Sequence, residues 1–186
     1  MTLGTKATWR PRLCLRSAAF ARDQGGATAV EFGLVVAPFI ALLFAIFQTT
    51  LVFFAGRVLD TAVAQSSRLI LTGQAQDQSM TQSAFATALC GKVYALFTCS
   101  KLMVDIQTSS SFSNANTASP TLTFDKNGNV TNAWQYQPGN AGDIVVIRVM
   151  YQWPVFGGPL SFNLSNLSNG NRLLMASAAF KNEPYQ

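Results

Sequence analysis

The residues with chemistry to offer are few and unevenly placed. Between Asp23 and Arg57 the sole charge is Glu31, which is followed at once by Phe32 and then by the rest of a 25-residue uncharged stretch, residues 32–56. A carboxylate at the edge of hydrocarbon is costly unless a cation meets it, so the chemistry open to Glu31 is that of an ion-pair partner. Two thiols, Cys90 and Cys99, stand close enough in sequence to be oxidised to one disulfide, while Cys14 lies far from both. Histidine is absent, which removes the commonest general base, the Ser/His and Cys/His nucleophile systems and the usual zinc ligands together. No nucleophile elbow and no pair of carboxylates at a working spacing takes their place. Two thiolates without further ligands cannot complete a tetrahedral metal shell, and no residue pattern calls for a cofactor. The sequence therefore reads as that of a protein that assembles rather than one that turns over a substrate.

Glu31 is positioned by what surrounds it. The net charge of +5 is concentrated before Gly26, where Lys6, Arg10, Arg12, Arg16 and Arg22 oppose only Asp23, leaving the remainder nearly neutral. That balance offers no phosphate-neutralising patch, so nucleic acid is not an expected partner. A basic stretch ahead of an apolar run instead keeps its own end cytoplasmic while the following chain is translocated. As a helix, the uncharged stretch is about 37 Å long at 1.5 Å per residue, enough to cross a bilayer and longer than the core of a secretory signal. Pro38 is expected to kink or loosen it, which lipid tolerates when neighbouring helices resatisfy the freed carbonyl. Only 11% of the residues are charged and nearly half are hydrophobic, as expected when part of a chain sits in lipid.

Past the membrane the helix is expected to continue, because Leu59, Val63, Ser66 and Ile70 recur near a 3.6-residue period and Gly73 offers a stop. Ser79 and Gln82 have the spacing of a capping box, predicting a second helix through about Phe97 that is weakened by Gly91. The period then changes to two. Leu102, Val104 and Ile106 fall on one face of a strand, with Asp105 and Gln107 on the other. Asn127-Gly128 between Thr121–Lys126 and Asn129–Trp134 predicts a hairpin with a type I′ turn. Asp143–Trp153 is the clearest strand, with Val145, Ile147, Val149, Tyr151 and Trp153 on one face, Arg148 and Gln152 on the other, and Pro154 ending it. Arg172–Lys181 groups Leu174, Ala176, Ala178 and Phe180, and its alanines let a helix lie close. The implied fold class is α+β: a long N-terminal transmembrane helix, a shorter helix and a small antiparallel sheet. Residues 109–119 and the glycine-rich 156–159 read as loops, and Asn182 and Glu183 as part of a closing turn.

The junction Gly25-Gly26-Ala27-Thr28-Ala29-Val30-Glu31-Phe32 resembles the processing motif of Flp-type prepilins: a basic leader, a glycine, four residues, a glutamate and an aromatic, with phenylalanine standing where tyrosine is usual. Gly142-Asp143-Ile144-Val145-Val146, the Trp153-Pro154 stop and the Asn182-Glu183-Pro184-Tyr185 ending are similar in order to those of the TadE-like family of minor pseudopilins. The resemblance covers residues 22–186. It implies cleavage between Gly26 and Ala27 by a membrane-embedded prepilin peptidase acting from the cytoplasmic side, with glycine giving that enzyme close access to the backbone. It also implies that Glu31 and Phe32 serve assembly, Glu31 meeting the new α-amino group of a neighbouring subunit's Ala27. The expected organisation is a leader at 1–26, a transmembrane and continuing pilin-like helix at 27–73, and an extracytoplasmic α+β domain at 74–186. Expected partners are the peptidase, other pilins and pseudopilins and inner-membrane lipid, with the N-terminus cytoplasmic and the domain periplasmic. The alternative is an uncleaved, signal-anchored periplasmic protein that binds a ligand or scaffolds a secretion complex.

Compartment then sorts the thiols. Cys14 faces a reducing cytoplasm, whereas Cys90 and Cys99 face an oxidising periplasm and are expected to pair. An unbroken helix would hold their α-carbons about 13 Å apart, so the bond requires the second helix to end before Cys99.

Overall fold

The computed structural model describes residues 25–158 and 161–184, and the chain divides into two units, the first ending at Phe44 and the second running from Ala45. The basic leader up to residue 24, with Cys14, and Tyr185 lie outside the described residues.

Helix α1 spans Gly25–Leu71 and continues through Pro38. In the first unit its side chains are almost all exposed, Phe32, Leu34 and Val35 each by 70% or more. This surface is apolar, and the helix meets the length and hydropathy expected of a membrane span. In the second unit the same helix acquires a buried stripe: Gln48, Val52, Ala55, Leu59, Ala62, Val63, Ser66, Ser67 and Ile70. Their spacing of three and four residues keeps them on one side, and it includes every position that the periodicity identified. Gly73 then ends the helix as read from sequence. Its φ of 79° is a left-handed value that glycine adopts without a Cβ clash, and its N–H donates to the Ile70 carbonyl at 3.1 Å.

A single turn, α2 (Gln74–Asp77), precedes α3 (Gln82–Val93). The cap of α3 differs from the expected one. Ser79 has φ 48° and lies outside the helix, while Thr81 is extended and its hydroxyl accepts from the Ala84 N–H at 3.2 Å. An N-cap must be extended with its side chain over the next turn, and Thr81 meets that condition where Ser79 does not. The helix also stops at Val93, short of Phe97, before a 3₁₀ turn at Cys99–Lys101.

Strands β1 (Met103–Ser109), β2 (Ile144–Trp153) and β3 (Arg172–Lys181) form an antiparallel sheet in that order, so the fold is α+β. Ile106 lies opposite Ile147, which lies opposite Ala178. One sheet face contributes Val104, Ile106, Val145, Ile147, Val149, Tyr151, Leu174 and Ala176 to a core shared with the buried stripe of α1 and with Phe85, Leu89 and Val93 of α3. The other face is also covered, since Val146 and Met150 are buried. Part of the β1–β2 connection reaches this face, where the Arg148 guanidinium donates to the Ala118 carbonyl at 3.4 Å. Another part pairs along the free edge of β1: the Gln135 carbonyl accepts from the Ile106 N–H at 2.9 Å, the Gln137 N–H donates to the Ile106 carbonyl at 2.8 Å, and the two segments run parallel at this point.

The predicted hairpin at Asn127-Gly128 is reduced to one antiparallel bridge, Phe124 with Val130. Gly128 has positive φ and Asn127 does not, so the turn is not type I′. Gly128 N–H donates to the Asp125 carbonyl and Asp125 N–H to that of Asn129, closing a three-residue loop with glycine at the left-handed position. The Asp125 side chain favours this form by accepting from the backbone N–H groups of Asn127 and Asn129, each at 2.8 Å.

Candidate functional site

The residues of the processing motif occupy the first two turns of α1. Gly26, Ala27, Glu31 and Phe32 are all exposed. A Cβ built on Gly26 meets nothing within 4 Å, so the fold makes no demand for glycine there. The first described turn of the helix contains no acidic residue, and glycine at 25 and 26 lowers its local helix propensity, so the backbone there is more cheaply drawn into an extended form than in the rest of α1. Glu31 lies four residues beyond Ala27, on the same side of the helix, and makes no ion pair with any described residue.

Cys90 and Cys99 are joined as a disulfide, with α-carbons 5.5 Å apart. The end of α3 at Val93 makes this separation attainable, because the turn after it folds Cys99 back toward Cys90. The bridge ties α3 to the 3₁₀ turn, and between its two ends Phe97 packs edge-on to Tyr151 and Trp153, with centroids at 4.9 and 5.7 Å, seating this segment on the sheet.

Two polar clusters carry structural work that periodicity alone did not identify. Asp105 and Arg148 form an ion pair on the covered face of the sheet, at 1% and 7% exposure. Arg148 Nε donates to Asp105 Oδ2 at 3.0 Å, and Asp105 Oδ1 accepts from the Gln135 N–H at 2.9 Å. The legible signal was two opposite charges at facing positions of neighbouring strands. Asn182 is the second case. Its side-chain amide donates to the carbonyls of Pro138 and Asn140 at 2.9 and 3.0 Å, while Gln76 reaches the Pro138 carbonyl at 2.9 Å from the other side. Glu183 N–H donates to the Leu71 carbonyl at 2.9 Å, fastening the tail to the end of α1. Asn182 thus belongs to a clamp within the fold.

Among the described residues no group of three His, Cys, Asp or Glu side chains is placed to hold a metal ion. A depression of about 710 Å³ beside the Asn127-Gly128 turn has Lys101 as its only charged lining residue among the described residues, which bring no acid and base together there.

Residues 26–68 match the family model described as TadE-like protein. No curated protein and no solved structure gives a match to the chain. The matched family is pilus-associated and structural rather than catalytic, and it implies association with other pilus components. An apolar N-terminal helix fits a single-pass membrane anchor in such a system. Over residues 26–68 of its 186, this chain is similar to the TadE-like proteins of the Tad pilus system.

Proposed function

We propose that this chain is a minor pseudopilin, cut after Gly26 by a prepilin peptidase and acting in the assembly of a tight-adherence, Flp-type pilus. The observation that carries the reading is coincidence of position: the family match opens at Gly26, the residue at which the motif sets the cut. The exposed first turn and the open space around a Cβ at Gly26 among the described residues support it. Before cutting, the leader holds the N-terminus on the cytoplasmic side of the inner membrane. Afterwards residues 27–186 remain anchored by α1, with the domain in the periplasm. Cutting also creates an ammonium at Ala27, about one helical turn from the level of Glu31. A carboxylate without a described partner, in a low-dielectric setting, then gains a cation on a neighbouring pilin or pseudopilin, and this pairing sets the axial register of subunits as their helices pack.

The test is the mature N-terminus. Coexpression with a prepilin peptidase is expected to give a product whose first residue is Ala27, and omission of the peptidase a full-length chain. Full-length protein in both cases would favour an uncleaved signal anchor and reject the pseudopilin reading.

A further inference from the structure

The loop that follows β2 returns to α1 at an unusual level. Gln48 Nε2 donates to the Phe156 carbonyl at 3.0 Å, and Gln48 is 7% exposed. Val155 packs against the core, whereas the Phe156 side chain beside it is 70% exposed. Gln48 lies within the uncharged run, nine positions before Arg57. Residues 32–47 alone give only about 24 Å of helix, short of a hydrocarbon core of about 30 Å, so the apolar span has to extend past Gln48. The surface of α1 agrees. Val52 and Ala55 are buried in the domain core, yet Phe53 and Phe54 are 67% and 56% exposed, about one and a half turns beyond Gln48. An exposed apolar surface therefore continues to a level above the point where Phe156 is held.

We propose that the Phe156-Gly157-Gly158 loop is a second contact with the bilayer, placing the Phe156 ring in the interfacial region of the leaflet from which α1 emerges. The occupant is lipid, and the inference rests on α1 spanning the membrane. The Gln48 bond supports it independently of the exposed ring. A loop carbonyl brought to this depth would be costly without a donor, and Gln48 supplies one from within the apolar helix. Two glycines after Phe156 add no side chain that would hold the loop away from the surface. A single helix leaves a domain free to rotate about its axis, and a second contact on the same leaflet restricts that rotation, presenting one side of the domain to neighbouring subunits.

The experiment uses the full chain with Cys14→Ser and an environment-sensitive fluorophore on one added cysteine, Phe156→Cys. Phe39→Cys in α1 and Phe112→Cys in the β1–β2 connection, both exposed in the structure, are the comparison sites. Peptide mapping confirms that Cys90–Cys99 stays intact. Each protein is reconstituted in phosphatidylethanolamine–phosphatidylglycerol vesicles carrying nitroxide either at the headgroup or at mid-chain, at two widely separated lipid-to-protein ratios. The 156 label is expected to lose most of its emission to headgroup nitroxide at both ratios, the 39 label to mid-chain nitroxide, and the 112 label to neither. A 156 label that behaves like the 112 label, with the 39 label quenched, overturns the loop contact and leaves the membrane span standing. Shielding of the 156 label that appears only at high protein density assigns the loop to another copy of the chain, and also overturns it. An unquenched 39 label removes the membrane span and the inference with it.

Discussion

Arg148 and Asp105 stand directly opposite one another on β2 and β1, and both are buried on the sheet face that the β1–β2 connection covers. The carboxylate also accepts from the Gln135 backbone and the Gln107 side chain, and the guanidinium reaches the Ala118 carbonyl at 3.4 Å. One ion pair thus ties two distant parts of a long connection to the sheet. Removing one partner leaves an uncompensated buried charge, so Arg148→Met or Asp105→Leu alone is expected to destabilise the domain by about 3–5 kcal/mol. The double variant should recover much of that loss. Denaturant unfolding of the full chain in detergent checks this, and a double-variant loss equal to the sum of the two single losses would exclude the coupling.

Gly26→Arg is expected to abolish processing while leaving the fold intact. A Cβ at this position meets no described atom within 4 Å, which separates the effect on the peptidase from any effect on folding. Peptide mapping of the N-terminus together with the circular dichroism spectrum reports both. Continued cutting would remove Gly26 from the processing site.

For Glu31→Ala, insertion and cleavage are expected to persist while pilus assembly falls sharply, since the proposed partner exists only on another subunit. Counting pili by electron microscopy, alongside membrane fractionation, distinguishes a lost subunit contact from a lost anchor. Normal piliation would show that Glu31 only marks the membrane edge.

The Cys90–Cys99 bond closes a loop of about 10 residues, and in the chain-entropy account such a closure stabilises by about 2–3 kcal/mol. Non-reducing mass mapping should recover this single crosslink in protein taken from the periplasmic side, and Cys90→Ser should lower stability by about that amount. Free thiols at both positions would contradict the oxidising location.

Asp125 offers a pH test outside the membrane. The Asn129 side-chain hydrogen bond first, and the backbone N–H groups of Asn129, Asn127 and Gly128 with it, hold its carboxyl below the ordinary range. A depressed folded-state pKa means that this stabilisation is present above the unfolded value, about 3.9, and is lost as pH falls through the lower folded value. Carboxyl chemical shifts followed by NMR should show Asp125 titrating below an unstructured aspartate. Asn129→Ala should move it upward.

Much of the architecture was legible because it depends on local rules. The uncharged run sets the membrane helix, the 3.6-residue recurrence of Leu59, Val63, Ser66 and Ile70 sets its buried stripe, and Gly73 stops it where only a residue without Cβ adopts the required φ at no cost. Alternation likewise defines β2 and β3, because the side-chain period of a strand is two. The motif proposed for processing is likewise a local feature, a continuous stretch from Gly25 to Phe32. Tertiary structure decided what depends on residues far apart in the chain. Thr81 displaces Ser79 as the cap because the left-handed turn at Ser79 puts its side chain outside the helix start. The covered second face of β2, with Asp105 against Arg148, follows from a connection whose path no periodicity encodes. Gln48 reads in sequence as a lone amide in an apolar helix, and only folding brings it the Phe156 carbonyl from 108 residues away. Local patterns fix which face of an element is apolar, whereas its partner is chosen by packing and hydrogen-bond satisfaction summed over the whole chain.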